Sequence, residues 1–378
     1  MRLYLIAGEP SGDALGAALM AGLKQLQPDI EFHGAGGPLM QDQGLVSQFD
    51  MAELSVMGIA EVLPKYRALK RRIRQCSDAV LRLEPDALIT IDSPDFCLRV
   101  AKQVKAASGI ATIHYVAPSV WAWRSGRAAK MARVIDHVLA LLPFEPPLMR
   151  AAGMSCDFVG HPVVSQPQAS EQEAGNFRSH HKIGAAPILL VLPGSRKGEV
   201  ERLAPIFGRT IEKLLKSRPD LRVVVPAADA VFARVSGLVS GWAGQPIVIA
   251  SANLPEKRAA FMAADVALAA SGTVSLELAA AGAPMVIAYD MNWLSRILIK
   301  RMLKTDTVTL VNLVSDTREV PEFLGADCQP DKIAGGVLAV LDKPHDQQLA
   351  MDLTMQRLGQ GGETPGLRAA KSVLATIS

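Results

Sequence analysis

The sequence predicts an α/β protein of two Rossmann-like, doubly wound domains followed by C-terminal helices that pack back across them. Three observations carry this expectation. Short apolar runs alternate with helical stretches along nearly the whole chain, the grammar of parallel sheets with helices on both faces. Small-residue turns follow several of these runs, at Gly8–Asp13, Pro193–Gly198 and Ser271–Thr273. A polar segment from Gly160-His161-Pro162 to about Ala186, without firm periodicity, interrupts the alternation once. The expected boundaries are 1–163 and 164–345 for the domains and 346–378 for the terminal helices.

Bulk properties narrow the function classes. A chain of 378 residues with 49% apolar and 20% charged residues has the balance of an ordinary soluble enzyme. A net charge of +3 and 5% aromatic residues argue against a nucleic-acid partner. Cys76, Cys97, Cys156 and Cys328 are far apart, which suggests neither a zinc site nor a disulfide framework and fits a reducing cytoplasm. The apolar run Leu3–Ala7 breaks at Gly8-Glu9-Pro10, too early for a signal peptide. No apolar run approaches a bilayer-spanning length, so any membrane contact is expected to be peripheral.

In chain order, Leu3–Ala7 reads as a strand running into a glycine turn and a helix over Ala14–Leu26. Glu9 and Asp13 sit where a substrate could meet the strand ends, and Asp13 alternatively caps or solvates the helix start. The run Phe32–Gly37, FHGAGG, tempts a dinucleotide reading, but Leu39 occupies the last glycine position and no nicotinamide cofactor is expected. Over Pro64–Leu83, Tyr66, Leu69, Ile73, Cys76 and Val80 form one core-facing stripe. Lys65, Arg67, Lys70, Arg71, Arg72 and Arg74 share the rest of its first half without an acid among them. With Val62 and Leu63 just ahead, the segment offers either a solvated basic face or a contact for anionic head groups.

Ala87–Ile91 is an apolar strand that delivers Asp92-Ser93-Pro94-Asp95 to its carboxyl end, where open α/β sheets place catalytic groups. Asp92 there suits a general base, with a helix cap as the alternative. Ala111–Val116 leads into a loop holding Trp121 and Trp123, and His137–Leu142 and Cys156–Val159 complete about six or seven strands.

The alternation restarts at Ile188–Leu192. Ser195-Arg196 then opens a helix, with Arg196 suited to paired hydrogen bonds with phosphate oxygens; the glycine spacing and Lys-Ser/Thr pair of a Walker loop are missing. Leu221–Val225, Ile247–Ala250, Val266–Ala269 and Met285–Ala288 supply further strands. Ser271-Gly272-Thr273 forms a second small-residue turn and helix cap, and Glu277 lies one turn further on, within reach of a sugar diol. Asn292–Lys304 is a second basic amphipathic segment. Asn312 sits in the strand-like run Leu310–Leu313, where it is either a structural tie or a ligand contact.

Together these stretches resemble the lipid-A-disaccharide synthase family of inverting, GT-B type glycosyltransferases. The resemblance is carried by Ala7–Asp13, Val56-Met57-Gly58, Ile91–Phe96, His114–Trp123, Leu142–Glu145, Pro193–Arg196, Ala270–Thr273 and Lys304–Asp306, in order through nearly the whole chain. It implies two facing domains, with the sugar nucleotide held mostly by the second. Ser195, Arg196 and the backbone of Ser271, Gly272 and Thr273 would contact its diphosphate, Glu277 its ribose, and Asn312 would lie near the same nucleotide. Asp92 matches the family's likely base, with Glu9 across the cleft; Glu9 and His114 remain alternatives for the base. Val62, Leu63, Tyr66, Arg67 and Arg71 would face the membrane or the acyl chains.

The implied reaction joins UDP-diacylglucosamine to diacylglucosamine 1-phosphate on the cytoplasmic face of the inner membrane. No Asp-x-Asp motif is present, so neither a metal nor a cofactor is expected. The resemblance also admits a homodimer through the C-terminal helices. Two rivals remain: a UDP-sugar epimerase on the same fold, which would need no lipid acceptor, and a non-catalytic nucleotide-sugar binding protein, which would have no need of Asp92.

Overall fold

The computed structural model describes residues 1–54, 59–120, 126–291 and 305–378, with the side chains of 59–66 outside the description. Within it the chain divides into two compact units, Met1–Ser165 with Leu358–Ser378, and Gln166–Arg357. The first of the two C-terminal helices, Gln348–Arg357, therefore stays with the second unit. Only the segment from Leu358 returns to the first, where the sequence pattern sends everything from position 346 back across the domains.

The first unit holds seven parallel strands: β1 (Arg2–Ala7), β2 (Glu31–Ala35), β3 (Val46–Ser47), β4 (Ala87–Ile91), β5 (Ala111–Tyr115), β6 (His137–Ala140) and β7 (Ser155–Phe158). Their order is β3-β2-β1-β4-β5-β6-β7. The second holds β8 (Ile188–Leu192), β9 (Arg222–Ala227), β10 (Ile247–Ala250), β11 (Val266–Ala269), β12 (Met285–Tyr289) and β13 (Glu322–Leu324), ordered β10-β9-β8-β11-β12-β13. All the pairings are parallel.

Strands buried on both faces explain the unbroken apolar runs. In β1, Tyr4 and Ile6 enter one core with Leu88, Val100 and Val138, while Leu3, Leu5 and Ala7 enter the other with Ile89, Leu19 and Val373. That second core is closed by two helices, Pro10–Leu26 and Pro365–Ile377. In the second unit, Leu189 and Val191 of β8 pack with Leu203, Phe207 and Ile211 of the helix Lys197–Ser217.

The glycine run after β2 has a purely internal use. Asp13, 2% exposed, accepts the backbone N–H groups of Gly37, Leu39 and Met40 at 2.9, 3.0 and 3.0 Å. Its carboxylate thus caps the short helix Pro38–Asp42 rather than meeting a substrate. Replacing it by alanine leaves three donors without their acceptor, and Asp13→Ala is expected to cost about 2–3 kcal/mol in urea unfolding.

The long helix runs from Ile59 to Leu83, starting ahead of Pro64. Ile73, Cys76 and Val80 are buried as the stripe predicts. Arg72 departs from the basic face: it forms an ion pair with Glu53 and lies 4.6 Å over the Phe49 ring. Arg67, Lys70, Arg71 and Arg74 are exposed. The candidate positions Val62, Leu63 and Tyr66 fall among the side chains outside the description, and Trp121, Trp123 and Asn292–Lys304 lie outside the described residues. Among the described residues no helix is long and apolar enough to cross a membrane.

Candidate active site

Each sheet reverses its strand order once, between β1 and β4 in the first unit and between β8 and β11 in the second. Crevices for ligands open at the carboxyl ends of the strands at such reversals. Asp92 and Glu9 lie at the first of these places, and Ser195, Arg196 and Ser271–Thr273 at the second.

In the first unit Ala7 of β1 pairs in register with Ile91 of β4. The two strand ends meet closely, since a Cβ added at Gly8 would lie 2.7 Å from the Ser93 hydroxyl. Glu9 follows as the N-cap residue of the helix Pro10–Leu26, half-buried. Asp92, also half-buried, has φ 51° and Ser93 has φ 42°, two consecutive left-handed residues without a glycine. Such conformations cost free energy and gather at functional sites, and the turn here is pinned by a bond from the Ser93 N–H to Asp92 Oδ1 at 2.9 Å. Val116, which follows strand β5 alongside, has φ 88°, a third strained residue on the same rim.

His114 is placed differently. It is 1% exposed in β5, and its Nδ1 lies 2.7 Å from Thr90 Oγ1. Burial pushes its pKa down to about 4, so the ring is neutral near pH 7 and a weak proton acceptor. His161, whose Nδ1 accepts the Val163 N–H at 3.2 Å, is likewise lowered to about 4 by burial. Both folded values lie below the ordinary 6.5, so the unfolded chain binds more protons between pH 6.5 and 4. Their contribution to stability is complete above pH 6.5 and is lost as pH falls toward 4, on the order of 3 kcal/mol for each ring. Urea midpoints between pH 7 and 4.5 should fall accordingly. They should fall less in His161→Asn, whose amide oxygen replaces the Nδ1 acceptor without titrating.

In the second unit, Leu192 at the end of β8 pairs with Ala269 at the end of β11, so the turns Pro193–Arg196 and Ala270–Thr273 leave the sheet side by side. Arg196 is the N-cap residue of the helix Lys197–Ser217, and its side chain is 72% exposed. Thr273 makes no side-chain capping bond to the helix Val274–Ala280; the Ser275 hydroxyl instead donates to the Gly272 carbonyl at 2.9 Å. Backbone donors at neighbouring strand ends and an exposed guanidinium form a suitable cradle for a diphosphate.

Glu277 lies on that second helix and borders a pocket of about 240 Å³. Gln166, Gln168, Leu254, Lys257, Arg258 and Phe261 also line it. Lys257 Nζ donates to Glu277 Oε2 at 2.5 Å, a partner that no motif in the sequence announces. It becomes visible only when the helix Leu254–Met262 packs nearby.

Asn312 is engaged internally. It lies in the helix Leu310–Ser315, not in a strand, and is 1% exposed. Its amide nitrogen donates to the Val320 carbonyl and Thr307 Oγ1, while its oxygen accepts the Val320 N–H. Both amide donors are satisfied internally, so this residue is the structural tie rather than the ligand contact.

The family model described as lipid-A-disaccharide synthetase matches residues 3–376. The chain belongs to that family. A lipid-A-disaccharide synthase of Ruegeria pomeroyi is 61% identical over 380 residues, covering 99% of this chain and 95% of the relative. One of Rhodospirillum centenum is 47% identical, covering 100% of this chain and 94% of the relative.

Solved structures extend the likeness in fold. A UDP-GlcNAc 2-epimerase from Neisseria meningitidis bound to UDP-GlcNAc has TM-score 0.66 at 13% identity, covering 100% of this chain and 99% of that one. One from Methanocaldococcus jannaschii in complex with UDP-GlcNAc and UDP has TM-score 0.63 at 14% identity, covering 99% of each. At those identities the likeness concerns fold alone, and the two-sheet α/β architecture of GT-B proteins is the one found here. The family's members are glycosyltransferases, so the enzyme reading stands and the epimerase kinship is architectural.

Proposed function

We propose that this chain condenses UDP-2,3-diacylglucosamine with 2,3-diacylglucosamine 1-phosphate, giving lipid A disaccharide 1-phosphate and UDP with inversion at the transferred carbon. The observation that carries this reading is family membership over residues 3–376, with the candidate residues seated at the two strand-order reversals. Asp92 takes the proton of the acceptor hydroxyl as that oxygen attacks the sugar carbon and the bond to the diphosphate breaks. Glu9, one strand over, supports the acceptor or the same proton transfer. The departing UDP gains charge, which Arg196 and the backbone N–H groups of the Ser195 and Ser271–Thr273 turns offset without a metal. Glu277, held by Lys257, offers its remaining carboxylate capacity to the ribose hydroxyls beside the pocket that would receive the nucleoside.

Both substrates carry acyl chains, and a peripheral site on the cytoplasmic face of the inner membrane suits them. The exposed Arg67, Lys70, Arg71 and Arg74 of the helix Ile59–Leu83 supply positive charge for anionic head groups.

UDP release from UDP-diacylglucosamine in the presence of chelator tests the reading. Release that requires diacylglucosamine 1-phosphate, with a disaccharide phosphate found by mass spectrometry, is the expected result. Acceptor-independent release points to epimerase or hydrolase chemistry, and UDP binding without turnover to a binding protein. Arg196→Ala should weaken UDP binding about ten- to hundredfold and lower turnover with it, the loss of a charge-assisted contact.

A further inference from the structure

The turn after β8 carries an acidic residue that the reaction above does not employ. Glu199 lies in the first turn of the helix Lys197–Ser217, and its carboxylate folds back over the turn that opens the helix. Oε2 accepts the Ser195 backbone N–H at 3.4 Å. Oε1 accepts Arg196 Nη1 and the Tyr289 hydroxyl, each at 3.4 Å. The side chain of Glu199 is 18% exposed. Tyr289 ends β12, and burial first, then the neighbouring Glu199, pushes its phenol pKa upward, so it stays protonated and able to donate.

Two of these three donors are the groups assigned above to the diphosphate. All three contacts lie at the outer edge of hydrogen-bond range, where the hold is weak. A carboxylate and a phosphate ask for the same N–H groups, and two anions placed together repel.

We propose that Glu199 is a stand-in for the donor's diphosphate: it occupies Ser195 N–H and the Arg196 guanidinium when the site is empty, and competes with UDP for them. The proposal rests on the assignment of the diphosphate to the Ser195–Arg196 turn. An arriving diphosphate takes both donors, and the carboxylate keeps Tyr289. When the sugar has been transferred, Glu199 reclaims the donors and UDP leaves. The competition puts the residue on the product-release side of the cycle, where turnover is often limited.

Isothermal titration of UDP and of uridine into the full chain tests this with wild type, Glu199→Gln and Glu199→Ala. Both variants should bind UDP about tenfold more tightly, because a like charge beside the phosphates is gone, with uridine affinity unchanged. In steady-state assays kcat and KM for the sugar nucleotide should fall together as UDP leaves more slowly. A residue that merely holds the helix in place would instead weaken UDP and uridine alike on removal. UDP affinity unchanged or weakened in both variants, while wild type binds UDP, overturns the stand-in. A tightened UDP complex with undiminished turnover overturns its part in product release. Failure of wild type to bind UDP overturns the diphosphate assignment itself.

Discussion

Asp92→Asn should lower turnover by about 10²–10⁴-fold, the contribution of a positioned general base, while UDP affinity stays at the wild-type value. Asparagine is the informative substitution because of the backbone. At φ 51° most side chains are strained, but asparagine, like aspartate, is among the non-glycine residues that best tolerate the left-handed region. Its amide oxygen can still accept the Ser93 N–H that Asp92 Oδ1 accepts at 2.9 Å, so the turn should hold. What is lost is the ability to take a proton. The turns proposed to bind UDP belong to the other unit, which is why binding and turnover should separate. Full turnover in Asp92→Asn, measured as disaccharide phosphate formed, would remove Asp92 from the role of base. Full turnover there together with a loss in Glu9→Gln would transfer the role to Glu9, whereas His114, buried beside Thr90 with its pKa near 4, is poorly suited to it.

Gly34→Ala should abolish folding of the first unit or cost on the order of 4 kcal/mol or more in denaturant titration. Gly34 adopts φ 136°, and a Cβ there would lie 1.8 Å from the Leu5 carbonyl oxygen of the neighbouring strand. Neither atom can yield, since Leu5 sits in β1, paired on both sides by β2 and β4, and is fully buried. A soluble Gly34→Ala protein with an unchanged unfolding midpoint would contradict the close approach of β1 and β2. The same substitution separates two readings of FHGAGG, because glycines that served a dinucleotide would cost ligand affinity when replaced and leave the fold intact.

These two residues also mark where the sequence is readable. The order of strands and helices follows from apolar runs and small-residue turns, because strands buried on both faces must be apolar and must stop at turns. Asp92, Ser195 and Ser271 could be placed at strand ends for the same reason. Short edge strands such as β3 and β13 carry too few residues for a pattern. The run Leu310–Leu313 is equally apolar as strand or helix, and only its packing makes it a helix around a satisfied Asn312. Lys257 and Tyr289 escape notice because their partners are distant in the chain: each finds its carboxylate on a different element, and no local spacing encodes such a meeting. Asp13 was ambiguous until the three N–H groups around it were visible.

Because Ala369, Ala370 and Val373 complete the core beside β1, the unit that begins first on the ribosome is finished last. All of Gln166–Arg357 emerges in the meantime and can fold around its own sheet. Until the helix Pro365–Ile377 emerges, the flank of the helix Pro10–Leu26 at Ala18 and Gly22, against which Gly366 packs, and the part of the core that Ala369, Ala370 and Val373 fill stay uncovered, the kind of surface that chaperones hold. Premature termination a few codons before that helix would therefore damage the half of the protein encoded at the opposite end of the message.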